Sequence, residues 1–230
     1  MRGFLRVSAL SAVLALTACG STDDNKETGN RAIKRETTLV DARLYEGSPN
    51  KTYNDEHSAR VGFDAAGKES RMLLYFPKLE NLWEKDVIVT SIAVVEVTLN
   101  CLDVQVNPEN IELVPVSRSW TPFVTWKTRD TLTGKGWSSA GGDVDASLPA
   151  VTPTLRPNST EEGAKELAFD ITNLVQRMVL GGYHNYGFMI RVKRSELNAK
   201  DEMWFKTTNS WNSDLRPSAI LAFSSTDSVE

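Results

Sequence analysis

From Thr37 onward the chain alternates short runs of β-branched and aromatic residues with breaks of Gly, Pro, Asn and Asp. That spacing predicts an all-β sandwich. In 59–64, Ala59, Val61 and Phe63 fall on one side of an extended run, with Arg60 and Asp64 on the other. Met72, Leu74 and Phe76 alternate with Arg71, Leu73 and Tyr75, which predicts a strand covered on both faces. The run 87–102 is rich in Val and Ile, with Val95, Val97, Leu99 and Cys101 on one parity and Glu96, Thr98 and Asn100 on the other. It is predicted to be a central strand. Further strands are predicted over 111–116, 188–192, 203–207 and 219–223. One segment departs from this period. After Asp170-Ile171-Thr172-Asn173, the residues Leu174, Val175, Met178 and Val179 recur as one helical face, and Gly181-Gly182 ends it. A single short helix is expected there.

Two stretches lack either period. Residues 20–35 consist largely of Asp, Asn, Lys, Glu, Thr and Gly, too polar to offset their chain entropy by burial, and read as a flexible tether. Residues 128–166 hold Gly134, Gly136, Gly141, Gly142, Pro149, Pro153 and Pro157, the composition of a long ordered loop that carries function or variation.

The first residues change the picture of where the protein resides. Arg2 and Arg6 precede an apolar run from Val7 to Leu16, too short to span a bilayer as a helix. Leu16-Thr17-Ala18-Cys19 closes it. The arrangement resembles bacterial lipoprotein precursors, which implies cleavage before Cys19 and acylation of that cysteine, palmitate included. The organisation expected is a signal peptide over 1–18, the lipidated cysteine and tether over 19–36, a sandwich over 37–226 and a tail over 227–230. Gly20 is not acidic, which points to the outer membrane of a Gram-negative envelope.

Loss of Arg2 and Arg6 makes a formal net charge of -4 more negative by two units. With no basic run longer than Arg191-Val192-Lys193-Arg194, nucleic acid is excluded as a partner. Beyond Cys19 only Cys101 remains, so the globular part has no internal disulfide and depends on its core. A domain this size buries about 70% of its unfolded surface, enough to fold without staples. Cys101, in an apolar run, reads as a buried inert thiol.

An ordered set of landmarks runs through the globular part. It begins with Val40-Asp41-Ala42, Gly47-Ser48-Pro49-Asn50, Tyr53, Arg60-Val61-Gly62 and Arg71-Met72-Leu73-Leu74-Tyr75-Phe76. It continues with Trp120, Val124-Thr125-Trp126, Trp137, Gly141-Gly142-Asp143 and Phe169-Asp170-Ile171-Thr172. Asn185, Gly187-Phe188, Phe205, Ser210 and Arg216-Pro217 complete it. The order resembles the DNRLRE-domain, disaggregatase-related family of carbohydrate-binding modules, although Met178 stands where that pattern has Trp and Asn54 where it has Gly. The resemblance implies a jelly-roll-like antiparallel β-sandwich and, for some members, binding of extracellular polysaccharide, including acidic polymers such as alginate. Trp120 and Trp126 read as core, while Gly62, Gly142 and Gly187 read as positions closed to a side chain.

Sugar recognition needs flat aromatic faces for C–H surfaces and planar polar groups for hydroxyls and carboxylates. Trp137 and Trp211, then Tyr183 and Tyr53, are the candidate platforms. Arg60, Arg71, Arg191 and Lys193 are candidate carboxylate partners, because a guanidinium meets a carboxylate as a fork. Asp41, Asp143 and Asp145 are candidate calcium ligands. His57 and His184 stand without a spaced catalytic partner, and the chain has no His-Glu-x-x-His, Gly-x-Ser-x-Gly or phosphate-cradling Gly loop. The expectation is a lipid-anchored envelope protein that binds polysaccharide without catalysis. Its alternatives are a structural or adhesion lipoprotein that binds another envelope protein, and a polysaccharide lyase or glycosidase.

Overall fold

A computed structural model describes residues 31–36, 39–77, 79, 92–104, 107–157, 165–179, 183–193 and 202–224. The strands are β1 (Arg31–Glu36), β2 (Val40–Tyr45), β3 (Ser58–Phe63), β4 (Glu69–Tyr75), β5 (Ile92–Val104), β6 (Ile111–Pro115) and the small pair β7 (Thr128–Asp130) and β8 (Lys135–Gly136). After them come β9 (Thr154–Pro157), β10 (Lys165–Asp170), helix α1 (Thr172–Val179), β11 (Phe188–Val192), β12 (Glu202–Lys206) and β13 (Ser218–Ser224). Among the described residues all strand pairings are antiparallel. The protein is an antiparallel β-sandwich, with one α-helix among the described residues.

The main ladder runs β1-β13-β5-β12-β3-β4-β11-β6, with β10 also on β5, β9 on β10 and β2 on β4. Two strands let it bend into two layers. β5 pairs with β13 over Ile92 to Thr98 and with β12 from Cys101, while β10 takes Glu96 to Cys101. β4 pairs with β3 only at Glu69 and Ser70, then with β11 from Met72 to Leu74. Between the layers lies the larger core, with Met72, Leu74, Ile111, Leu113, Phe188 and Ile190 against Val61, Leu167, Phe169, Met203 and Phe205. The alternation read in 59–64 is observed, since Ala59, Val61 and Phe63 are buried while Arg60 stays partly exposed.

A second core lies on the opposite face of β2, β4, β6 and β11. Leu44, Leu73, Val114 and Met189 point there and are covered by Val124, Trp126 and Trp137 from the loop after β6. β4 is therefore buried on both faces, as its unbroken apolar run predicts. Backbone bridges from Val116 to Val144 and from Leu113 to Val151 hold this cover in place. Close approach explains two glycines. A Cβ on Gly187 (φ +84°) would lie 2.2 Å from the Leu74 carbonyl oxygen, and one on Gly142 (φ +103°) 2.3 Å from the Met189 methyl.

The helix begins where expected. Asp170 Oδ1 accepts from the backbone N–H of Thr172 at 3.0 Å, which satisfies a free donor of the first turn. Ile171, Leu174, Val175 and Met178 bury one face.

Three expectations need correction or restriction. Arg31–Glu36, placed within the tether, forms strand β1 in full register with β13 from Ser224 to Ala219. Its composition is polar, but an edge strand gains its hydrogen bonds from the neighbouring ladder whatever its side chains. β2 and β10 are additional to the predicted strands: β2 alternates Val40, Ala42 and Leu44 with Asp41, Arg43 and Tyr45 over only six residues, and in β10 only Leu167, Ala168 and Phe169 are buried. The predicted central strand is β5, while 87–91, Gly181-Gly182, the lipobox with Cys19 and the Cys101 side chain lie outside the described residues.

Candidate functional site

The outer face of β3 and β12 holds an uncommon combination of side chains. Arg60 and Trp204 are directly opposite in register, both pointing away from the core that takes Val61 and Met203. The Arg60 guanidinium carbon sits 4.2 Å from the Trp204 ring centroid, a cation–π contact, and its Nη1 reaches Glu202 Oε2 at 3.4 Å. The Arg60 side chain remains 40% exposed. Beside this pair opens a groove of about 350 Å³, lined by Arg43, Glu56, His57, Ser58, Arg60 and Trp204. Its size falls in the lower part of the range for small-ligand sites.

The groove wall continues into an exposed indole. Trp211, 86% exposed, lies against the His57 ring with centroids 4.5 Å apart and planes tilted by 30°. His57 Nδ1 contacts the Asn209 carbonyl oxygen. A carbonyl only accepts, so this contact assigns the proton to Nδ1. The opposite wall is fixed by an ion pair. Arg43 Nη2 donates to Glu56 Oε1 at 3.0 Å, Arg43 Nε lies 2.9 Å from Oε2, and the guanidinium covers the Tyr53 ring at 4.1 Å.

Trp211 and Arg60 are thus the two sequence-derived candidates that the fold brings to one surface. Trp137 is a correction. It is buried, its Nε1 donates to the Thr125 carbonyl at 3.1 Å, and it forms part of the second core. Trp126 and Trp120 are structural as expected, Trp120 donating to the Tyr186 carbonyl at 2.9 Å. Tyr53 is buried beneath Arg43 and Lys51, so its ring is already covered by cations. Tyr183 packs on the edge of the main core, and burial pushes its phenol pKa up.

The remaining cations serve the scaffold. Arg71 donates to both Glu69 oxygens at 2.7 Å and to the Gly141 carbonyl at 2.8 Å, above the Trp126 ring. Arg191 Nε donates to Glu112 across the β6–β11 pair at 2.7 Å. Lys193 Nζ donates to the Glu109 carbonyl at 2.7 Å and to the Thr152 hydroxyl at 3.3 Å. All three are corrections to the reading of free carboxylate partners.

The three candidate calcium ligands are engaged separately. Asp143 accepts from the backbone N–H groups of Ser138 and Ser139 and pairs with Arg118 at 3.2 Å. Asp145 caps Ser147. Asp41 accepts from the Thr208 N–H at 2.6 Å. Among the described residues no three His, Cys, Asp or Glu side chains gather as a metal site.

Trp204, His57, Ser58, Arg43 and Glu56 are groove residues that the sequence reading did not select. One signal was present. In Glu202-Met203-Trp204-Phe205-Lys206 the tryptophan shares the polar parity with Glu202 and Lys206, which places a large aromatic on a solvent face. His184 lies elsewhere, exposed beside Tyr186.

The fold and this surface define an antiparallel β-sandwich module with an aromatic and guanidinium groove on one outer face. The chain belongs to the disaggregatase related repeat domain family, whose model matches residues 41–220. No curated protein matches the sequence. Among the described residues, no helix is long and apolar enough to cross a membrane.

Proposed function

We propose that this protein is a lipid-anchored cell-envelope module that binds polysaccharide, acidic polymers included, in the groove beside His57 and without catalysis. The observation that carries the reading is Trp211, resting against His57 and open to solvent next to Arg60 and Trp204. Burying a large apolar side chain is worth roughly 1.5–3 kcal/mol, so an ordered indole left in water gives up stabilisation that a ligand can restore. A sugar ring offers its C–H face to the indole, and its carboxylate meets the Arg60 guanidinium as a charge-assisted hydrogen bond. Anchoring through Cys19 in the outer membrane would keep the bound glycan at the envelope.

Affinity electrophoresis tests this with protein beginning at Gly20, so that β1 is retained. Gels contain alginate, pectin or a neutral glucan. Retardation by an acidic polymer, lost in Trp211→Ala, is the expected result. Free migration in all three gels would overturn the proposal and direct attention to an envelope protein as the partner.

A further inference from the structure

The loop 207–216, which carries Trp211, is tied down from several sides. Thr207 Oγ1 donates to the Glu56 carbonyl, and its N–H to the His57 carbonyl at 3.4 Å. Asn209 Nδ2 donates to the Asn54 carbonyl at 2.9 Å, and Arg216 donates to the Ser210 carbonyl through Nε and Nη2 at 3.0 and 2.9 Å. All of these ties come from the loop itself or from the adjoining 54–57 segment. A further tie comes from another strand: Asp41, on β2, is buried and accepts from the Thr208 N–H at 2.6 Å, with the Thr208 hydroxyl as a second donor.

We infer that Asp41 is a positioning residue of the binding groove: by holding Thr208 it keeps the 207–216 loop, and with it Trp211, against His57. This rests on the reading of that surface as the polysaccharide site. A buried carboxylate is an expensive way to hold a backbone N–H, because burial disfavours its charge, and a charge-assisted bond is roughly twice as strong as a neutral one. Burial raises the Asp41 pKa to about 6, against the lowering effect of both Thr208 bonds. Acidification therefore weakens this tie while it relieves the buried charge. The other charged groups near the loop are Arg43, paired with Glu56, Arg216 on the Ser210 carbonyl, His57 on Asn209, and Asp55, Lys206 and Asp214 in the flanking segments and the loop itself.

Fluorine NMR of the full chain in detergent, labelled with 5-fluorotryptophan, reads the loop without any ligand. Trp211→Phe assigns the Trp211 line. From pH 8 to 5 that line is expected to shift with a midpoint near 6. The shift should vanish in Asp41→Asn, which keeps an acceptor for Thr208, and persist in His57→Gln. Asp41→Ala should move the line at every pH and, in alginate affinity electrophoresis, weaken retardation several-fold, whereas Asp41→Asn keeps it at pH 7.5. An unaltered titration in Asp41→Asn, or one abolished only in His57→Gln, would overturn the inference. If the line behaves as expected but alginate, pectin and neutral glucan all fail to retard the protein, the positioning role stands and the polysaccharide reading falls.

Discussion

The indole of Trp211 rests on the imidazole of His57 at a centroid distance of 4.5 Å, although the two residues belong to segments from opposite ends of the domain. His57 precedes β3, and Trp211 follows β12, the strand paired with β3. Strand pairing therefore builds the platform, and its most exposed aromatic gains a fixed orientation without burial.

Trp211→Ala should leave thermal stability within about 0.5 kcal/mol of the parent, because an 86% exposed side chain contributes little packing. Arg60→Ala and Trp204→Ala should weaken retardation by an acidic polymer, Arg60→Ala more so at low salt. Equal retardation in all three variants would show that the groove is not the binding surface. Affinity gels and a melting curve on the same samples check both.

Trp137→Ala should behave oppositely. It removes a buried indole from the second core together with the bond to Thr125, at a cost of about 3–5 kcal/mol. Chemical denaturation will show the loss, and any defect in binding should track the unfolded fraction.

Asp41→Asn should stabilise the protein at neutral pH. Below pH 3.8 the native and unfolded states both hold the proton, so Asp41 makes no difference there. As pH rises from 3.8 to about 6, the unfolded state releases the proton that the native state keeps, and stability falls; above 6 the deficit is constant. Its size is on the order of 3 kcal/mol at pH 7.5, and the variant should lose this slope. Denaturation midpoints at pH 3.5 and 7.5 test the sign, since a parent that gains stability over that window relative to Asp41→Asn contradicts it.

Gly187→Ala should destabilise by more than about 2 kcal/mol, since it combines a left-handed backbone with a Cβ driven against the Leu74 carbonyl. Gly67→Ala, which also has positive φ but meets nothing within 4 Å, should cost less. Urea midpoints of the two variants give the comparison directly.

Cys19→Ala should abolish incorporation of labelled palmitate and move the protein from the membrane fraction to the soluble one. Continued labelling would remove the proposed anchor.

Much of the fold was legible because a half-buried strand writes its environment as alternation. Val61, Met203 and Phe188 could be placed on strands from sequence, and the helix after Asp170 could be placed from its apolar spacing and polar cap. β1 was not legible, since an edge strand is defined by the hydrogen bonds a neighbour offers. The site was less legible still. Trp211 and Arg60 stood out as aromatic and cationic residues in polar surroundings, yet Trp137, also flanked by small and polar residues, is core. Composition says which side chains can stack or pair. Whether Arg71 and Arg191 are free or already hold Glu69 and Glu112 depends on which strands become neighbours, and so does the meeting of His57 with Trp211. By itself the sequence determined the β class, the family and the reservoir of aromatic and basic groups. Tertiary structure alone decided which of them face water, because burial and ion pairing are properties of distant segments brought together.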